Sequence, residues 1–457
     1  MIGLVVNPVA GVGGPAGLAG SDGADVQRLA RARGARSRVQ ERAALALTAL
    51  AQRHPGLVVA TAAGAMGADA VRAAGLVPRV VWPGPRVVGA GLPSARLAAE
   101  CTASSRRDPV HSAITGALSG DERARAGEQA GATGAVDTSR AVAALAASGV
   151  ELILVVGGDG TLRDAVAGLG TAEHPSGGAT DVGGNGGDSV AAEGTSRQVL
   201  LHEEDPAAGI PAVLGVPAGV KMYSPVFAVS PRAAGAIAAD WIDHGGLPTE
   251  EREVLDIDEA AMRRARVDPT LYGMLRVPYR AGRTQARKAP TPATEAAAVE
   301  AAACGAVARM LPSVRYLLGP GGTTAEIARQ LGIGGSPLGV DVVLDGSVII
   351  RGASEQELLA EIARGPAQAV ITVIGGQGFL LGRGNQQLSA SVLWALGDDP
   401  LLVVAPEQKL IDLHGRPLLV DTGDAQLDER LAGHVRIVTG VGITSLYAVS
   451  APELTTI

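Results

Sequence analysis

The pattern with the clearest chemical meaning is Gly157-Gly-Asp-Gly-Thr161. It follows an apolar run that we predict to be a buried strand, and a helix-compatible segment, 162–166, comes directly after it. Glycines at a strand–helix turn let backbone N–H groups approach a ligand, and the helix N-terminus favours a phosphate. The Asp159 carboxylate can then accept a hydroxyl proton or engage a phosphate-bound cation. A structural interpretation stays open, in which Thr161 caps the helix together with Asp164.

A second glycine-rich loop follows the first apolar run of the chain, which we predict to be a strand over Ile2 to Val6. Asn7 stands at the end of that strand, and glycines recur from Ala10 to Gly23. Oriented amides in such a loop can cradle a phosphate, so Asn7 is a candidate nucleotide-binding residue. A loose dinucleotide fingerprint also fits, but the acidic residue expected about 20 positions later is missing. A plain glycine-rich turn stays open as the alternative.

Lysine is rare in this chain, which holds only Lys221, Lys288 and Lys409. None of them follows a glycine, which excludes an ordinary P-loop with its Gly-Lys-Ser/Thr sequence. Lys221 comes after a predicted strand and the turn Pro217-Ala-Gly-Val, where its ammonium group can meet a phosphate. A solvated lysine is the alternative interpretation.

A polar loop follows a predicted strand over Ala369 to Ile374. Its amides and its guanidinium group suit contacts with a base, a ribose or a phosphate. An ordinary surface loop is the alternative. The candidate nucleotide-binding residues in this loop are Gly375, Gly376, Gln377, Arg383 and Asn385.

The loop Gly319-Pro-Gly-Gly-Thr-Thr324 has the same character, since it follows a predicted strand and enters a predicted helix. It is another candidate phosphate cradle. Thr323 and Glu326 have the spacing of a capping box, which accounts for the threonine and the glutamate but not for three glycines.

Two carboxylates, Asp256 and Asp258, fall on one face of a predicted strand because side chains alternate with a period of two. Such hard oxygen ligands can help to hold Mg²⁺ beside a triphosphate. A pair of carboxylates on a solvated strand end is the alternative.

Strand and helix patterns alternate over the first 170 residues, which is typical of an open parallel sheet with helices on its faces. From residue 315 the alternation resumes, so we predict a second α/β or α+β domain. The predicted domains are 1–210 and 211–457. Two stretches with weak periodicity, at about 84–134 and 168–196, are interpreted as flexible insertions.

Composition excludes several classes of protein. The chain has 457 residues, which predicts two or three domains, and its formal charge of −7 argues against a nucleic-acid partner. Two cysteines cannot build a disulfide framework. Because no long uncharged apolar stretch or signal peptide is present, we expect no membrane partner and a cytoplasmic location. We also expect a homo-oligomer.

The order of these motifs resembles the ATP-NAD/AcoX kinase family. The similar segments are the opening strand with its glycine-rich continuation, Gly157–Thr161, Gly215–Ser224, Glu253–Glu259, Leu271–Gly273 and Gly375–Gln387. The resemblance implies a phosphofructokinase-like N-terminal domain. It also implies transfer of the γ-phosphoryl group of ATP to a hydroxyl of NAD or of a related small molecule, with Mg²⁺ as cofactor. By motif position, Asp159 would lie near the acceptor hydroxyl, and the phosphate site would be shaped by Gly157, Gly158, Gly160 and Thr161.

Three other functions remain open. Lipid kinases share the Gly-Gly-Asp-Gly-Thr motif. A lipid kinase should present a basic or aromatic membrane-facing surface, but aromatic residues make up only 2% of this chain. A nicotinamide-dependent oxidoreductase would use the N-terminal loop and leave Asp159 unexplained. A non-catalytic protein that senses ATP or NAD would use the same loops without turnover.

Overall fold

The computed structural model describes most of the chain. The described residues are 1–18, 21, 23–84, 133–172, 209–257, 269–280, 284, 295–336 and 338–452. Nearly all of the two predicted insertions lies outside these ranges, although a helix extends to Ala172 and so covers the first residues of the segment 168–196. In the ranges described, no helix is both long and apolar enough to cross a membrane.

The N-terminal part of the chain builds a five-stranded, fully parallel sheet in the order β3-β2-β1-β4-β5. Three of its strands, β1, β4 and β5, are buried along their whole length, which explains why their sequences are apolar without alternation. The strands are β1 (Ile2–Val6), β2 (Val58–Ala62), β3 (Val77–Trp82), β4 (Leu152–Gly157) and β5 (Ala212–Pro217).

Helices accompany this sheet, and all except the first contribute side chains to one large hydrophobic core. Ala30 of the first helix packs in a small separate cluster with Val12 and Ala16. Ser230 caps the last of these helices as the sequence predicts, because its side chain accepts a hydrogen bond from the amide of Ala233 and Pro231 occupies the first helical position. The helices are α1 (Ala24–Ala32), α2 (Val39–Arg53), α3 (Ala68–Ala73), α4 (Ala135–Ala147), α5 (Asp159–Ala172) and α6 (Pro231–Asp243).

A two-stranded antiparallel ribbon, β6 (Thr249–Ile257) and β7 (Pro269–Pro278), lies against this N-terminal unit. Val254, Leu275 and Val277 of the ribbon belong to the same hydrophobic core. The ribbon therefore brings Asp256 close to the carboxyl end of the parallel sheet.

The C-terminal part builds a nine-stranded mixed sheet in the order β10-β9-β8-β11-β13-β15-β16-β14-β12. Adjacent residues on its strands face opposite cores, as with Leu317 and Leu318. The strands are β8 (Arg315–Leu318), β9 (Asp341–Leu344), β10 (Ser347–Ile350), β11 (Ala367–Thr372), β12 (Phe379–Leu381), β13 (Leu401–Val404), β14 (Leu418–Val420), β15 (Gly433–Gly440) and β16 (Ile443–Ser450).

Two clusters of buried apolar side chains cover the two faces of this sheet. Side chains of α7 and α8 pack on one face, and those of α9 to α12 pack on the other. The helices are α7 (Ala296–Val307), α8 (Gly322–Gln330), α9 (Glu355–Ile362), α10 (Ala390–Ala395), α11 (Glu407–Ile411) and α12 (Ala425–Leu431).

The predicted fold class is confirmed: an open parallel N-terminal sheet is followed by a second α/β sheet. β5 begins at Ala212, just after the predicted boundary at residue 210, and it pairs with β4 inside the N-terminal sheet. The boundary between the two domains stays a prediction.

Candidate active site

The Gly-Gly-Asp-Gly-Thr loop lies at the carboxyl end of β4, which stands between β1 and β5 in the parallel sheet. This is the edge where open α/β sheets bind ligands. α5 begins at Asp159, so Thr161 lies within the first helical turn and does not cap the helix. The structural interpretation of Thr161 as an N-cap is therefore wrong.

Close packing requires glycine at positions 157 and 158, and none of Gly157, Gly158 and Gly160 has a positive φ. A Cβ atom added to Gly158 would lie 2.8 Å from the Lys221 carbonyl oxygen and 3.0 Å from the Gly219 Cα atom. A Cβ atom on Gly157 would overlap the Thr161 side chain. The backbones of the loops after β4 and β5 are therefore in direct contact. This close approach, and not the conformational freedom of glycine, explains why these positions are glycine.

Asp159 is fully buried, and both of its carboxylate oxygens accept hydrogen bonds. Oδ2 accepts from the Tyr223 amide at 2.6 Å, and Oδ1 accepts from the Ser224 amide at 3.1 Å and from the Ser224 hydroxyl at 2.6 Å. The Ser224 hydroxyl in turn accepts from the Leu255 amide at 3.0 Å. Tyr223 and Ser224 thus orient the carboxylate, and the segment after Lys221 connects it to β6.

Burial raises the pKa of Asp159 to about 6, and the hydrogen bonds from Ser224 and Tyr223 limit this rise. The negative charge of Asp256 adds to the rise. A carboxylate with a pKa near neutrality is suited to general base catalysis.

A small pocket of about 60 Å³ brings together half of the predicted site residues around Asp159. Asn7 lines it and donates a hydrogen bond from Nδ2 to Thr161 Oγ1 at 3.1 Å, which ties the end of β1 to the start of α5. The predicted residues that line this pocket are Asn7, Gly158, Asp159, Gly160, Thr161, Lys221 and Asp256.

A larger cavity of about 430 Å³ lies next to this pocket and shares Gly11 and Gly219 with it. The loop before α2 and α2 itself contribute arginines to its wall, and loops of the C-terminal sheet contribute carboxylates and hydroxyls. The charged residues that line it are Arg36, Arg38, Glu41, Arg42, Glu355, Asp421 and Asp424. A cavity of this size with several charged groups fits a nucleotide-sized ligand.

The polar segment after β11, predicted to be one loop, is interrupted by the short strand β12 and holds the two sheets together. Gln377 donates from Nε2 to the Met222 carbonyl at 3.0 Å. Arg383 donates to Asp421 Oδ2 at 2.8 Å and to the Val229 carbonyl at 2.9 Å. These side chains already have protein partners, and neither lines the two cavities.

Other residues of this loop are also engaged within the protein. Asn385 donates to the Leu380 carbonyl at 2.7 Å and accepts from the Gly382 amide at 3.0 Å. Gly375 and Gly376 lie in the half-buried turn between β11 and β12 and line neither cavity. Nucleotide binding by these residues stays a prediction.

Gln386 is the loop residue that sequence reasoning missed. Its Nε2 donates to the Gly219 carbonyl at 3.1 Å, and it lines the larger cavity. Its Oε1 is buried and has no hydrogen-bond partner among the described residues. The position stands beside Asn385 in the same polar run, but only the fold tells which of the neighbouring amides faces the cavity.

The described carboxylates do not form a metal cage. Asp256 Oδ2 accepts a hydrogen bond from Arg163 Nη1 at 3.0 Å, and Asp258 lies outside the described residues. Within the described ranges, no group of three or more His, Cys, Asp or Glu side chains is placed to hold a metal ion. These residues alone therefore do not fit a resident Mg²⁺, which in proteins usually retains waters and substrate phosphates among its ligands.

Comparisons with known proteins place the chain among the kinases. The family model for the ATP-NAD kinase N-terminal domain matches residues 2–175, and the model for the ATP-NAD kinase C-terminal domain matches residues 311–449. The chain therefore belongs to the ATP-NAD kinase family, whose members use ATP as the phosphoryl donor. No curated protein and no solved structure gives a match. The family resemblance read from the sequence motifs is confirmed.

Proposed function

We propose that this protein is an ATP-dependent NAD kinase that transfers the γ-phosphoryl group of ATP to a ribose hydroxyl of NAD and forms NADP. The observation that carries the proposal is the placement of Asp159 in a phosphate-sized pocket that adjoins a nucleotide-sized cavity. Family membership supports phosphotransfer from ATP, and the 2′-hydroxyl is the position whose phosphate distinguishes NADP from NAD.

In the proposed reaction, Asp159 takes the proton of the acceptor hydroxyl. The hydroxyl oxygen forms a bond to the γ-phosphorus, the bond to the bridging oxygen of ADP breaks, and ADP leaves with that electron pair. Tyr223 and Ser224 hold the carboxylate in place for this step. Most of the remaining catalysis is positioning and charge stabilisation.

Basic groups and amides at the two cavities would bind the phosphates. Lys221 lines the small pocket, where we propose that it meets the transferred phosphoryl group. Arg36 is exposed in the larger cavity, where we propose that it meets the pyrophosphate of a dinucleotide. Mg²⁺ carried on the ATP phosphates would neutralise charge on the phosphoryl oxygens.

The test is an assay of the purified chain with ATP and Mg²⁺, with and without NAD, in which NADP is read by an NADP-specific dehydrogenase. NADP formation that depends on ATP and disappears in Asp159→Asn would support the proposal. Polyphosphate in place of ATP tests the donor. Nucleotide binding without NADP would contradict an NAD acceptor and move the function to another hydroxyl compound or to nucleotide sensing.

The pH dependence of the reaction gives a second test. Because a general base must be ionised, kcat/KM should rise with pH and level off above an apparent pKa of about 6. Ser224→Ala removes a hydrogen bond to the ionised carboxylate, so the midpoint of this rise should move to higher pH. The pH profile of kcat/KM measures the shift, and Ser148→Ala, whose hydroxyl donates only to a helix carbonyl, is the control. Identical profiles for wild type and Ser224→Ala would contradict the role of Asp159 as base.

A further inference from the structure

The C-terminal sheet has its own glycine-rich strand–helix turn, Gly319–Thr324 between β8 and α8. The predicted capping box of Thr323 and Glu326 is wrong, because the helix begins at Gly322 and its N-cap residue is Gly321. No side chain of the described residues caps the helix, so its first amides remain available to an outside acceptor. A Cβ atom added to Gly322 would meet no described atom within 4 Å, so the described structure leaves the space in front of this turn open.

A buried ammonium group lies beside this turn. Lys409 of α11 is 9% exposed, and its Nζ atom donates to Thr323 Oγ1 at 3.3 Å. Burial lowers the pKa of the Lys409 side chain, and the nearby negative charge of Glu295 opposes this shift without forming an ion pair among the described residues. The one hydrogen bond that Lys409 makes to the described residues goes to a neutral hydroxyl, so an anion bound beside Nζ would stabilise this buried charge.

A second side chain at the turn has an unused polar atom. Thr372 ends β11, the strand between β8 and β13, and is 7% exposed. Its Oγ1 atom is buried without a hydrogen-bond partner among the described residues. Its methyl group would lie 2.8 Å from a Cβ atom on Gly321, so the threonine packs directly against the glycine turn.

We propose that these groups form a second phosphate-binding site, which takes the phosphate group of a phosphorylated small molecule. The carboxyl ends of three adjacent parallel strands, β8, β11 and β13, bring the turn, Thr372 and Lys409 together. Amides, hydroxyls and an ammonium group are all donors, and a phosphate offers several acceptor oxygens and negative charge.

This site is separate from the proposed kinase site. None of the turn, Thr372 and Lys409 lines either cavity around Asp159. The proposal therefore stands or falls independently of NAD phosphorylation.

The sharpest test uses Gly322, because a substitution there has room. Gly322→Asp places a carboxylate in the first helical turn, where it is favourable for helix stability but repels a phosphate. We expect this variant to keep or raise its Tm and to lose phosphate affinity by roughly tenfold or more. Gly322→Asn is the matched neutral control and should bind phosphate more tightly than Gly322→Asp.

Binding is measured by equilibrium dialysis of the full chain with labelled inorganic phosphate, and competition with ATP and with NADP identifies the source of the phosphate. Lys221→Met reports separately on the pocket beside Asp159, because it removes the lysine of that pocket alone. Lys409→Met should lose phosphate binding at the turn between β8 and α8, as Gly322→Asp does. Lys221→Met should retain phosphate binding at that turn. Unchanged phosphate binding in both Gly322→Asp and Lys409→Met would overturn the proposal.

Thr372→Val keeps the test decisive if one of these variants does not fold. The substitution preserves shape and removes only a hydroxyl that has no partner in the described protein, so the folded state should not be weakened. We expect lower phosphate affinity with an unchanged Tm. Wild-type affinity in a folded Thr372→Val protein, together with wild-type affinity in Gly322→Asp, would rule the site out.

Discussion

Asp159→Asn is expected to lower kcat by about 10²–10⁴-fold while ATP binding largely survives. An asparagine has nearly the shape of aspartate but cannot take the proton of the acceptor hydroxyl. Its amide group would also face one of the N–H donors of Tyr223 and Ser224, which now hold the carboxylate. The measurement is steady-state kinetics beside a direct ATP-binding titration.

The control for this prediction is Asp164→Asn, which changes another buried carboxylate that lines the same pocket. Asp164 lies near Arg163, with 3.4 Å between Oδ1 and Nη2, so its neutralisation should leave kcat close to the wild-type value. A fully active Asp159→Asn protein would remove Asp159 from the mechanism. Equal losses in both variants would point to general disruption of the pocket.

The same carboxylate links stability to pH. Because the folded state raises the pKa of Asp159 from 3.8 to about 6, the native protein binds this proton more tightly than the unfolded chain does. Its contribution to the free energy of unfolding is therefore fully present below about pH 4 and is lost as the pH rises through 6. A general base must be ionised at neutral pH, and the buried charge of Asp159 then lowers the free energy of unfolding. Such a cost in stability is typical of a catalytic group.

The strands and the central loop could be predicted from sequence because local patterns determine them. β1, β4 and β5 are uninterrupted apolar runs, and such runs suit strands that are buried on both faces. A glycine-rich turn between a strand and a helix places Asp159 at the ligand-binding edge of any open parallel sheet. These inferences need no knowledge of distant contacts.

The partners of the site residues could not be predicted, because they depend on contacts between distant parts of the chain. Gly158 must be small because the loop after β5 lies against it, some 60 residues later in the chain. The donors to Asp159 come from Tyr223 and Ser224, and the segment Gly215–Ser224 gives no sign in sequence that its last two residues contact Asp159. A polar loop also looks the same in sequence whether its side chains face a ligand or face each other, as with Asn385 and Gln386.

Arg383 makes that last distinction testable, since its sequence context predicts nucleotide binding and its contacts indicate a structural role. Arg383 is 3% exposed, and it donates hydrogen bonds to the fully buried Asp421 and to the Val229 carbonyl of the N-terminal unit. Its guanidinium carbon lies 4.2 Å from the centre of the Phe379 ring. Despite its burial, Asp421 has a pKa below its usual value, because Arg42 and Arg383 stabilise its charge. The network therefore joins the two sheets through one ionised carboxylate.

We expect Arg383→Met to lower the free energy of unfolding by about 3–5 kcal/mol, because it leaves Asp421 and the Val229 carbonyl short of a buried donor. Arg42→Met should cost less, since the Arg42 side chain is 13% exposed and water can replace part of its contact with Asp421. Denaturant titration measures both, and Arg36→Met, which removes an exposed arginine from the larger cavity, should leave stability unchanged. ATP affinity separates the two interpretations of Arg383. If Arg383 binds nucleotide, its removal weakens ATP binding in a protein of nearly normal stability. If Arg383 has a structural role, its removal lowers the stability and leaves the ATP affinity of the folded protein nearly unchanged.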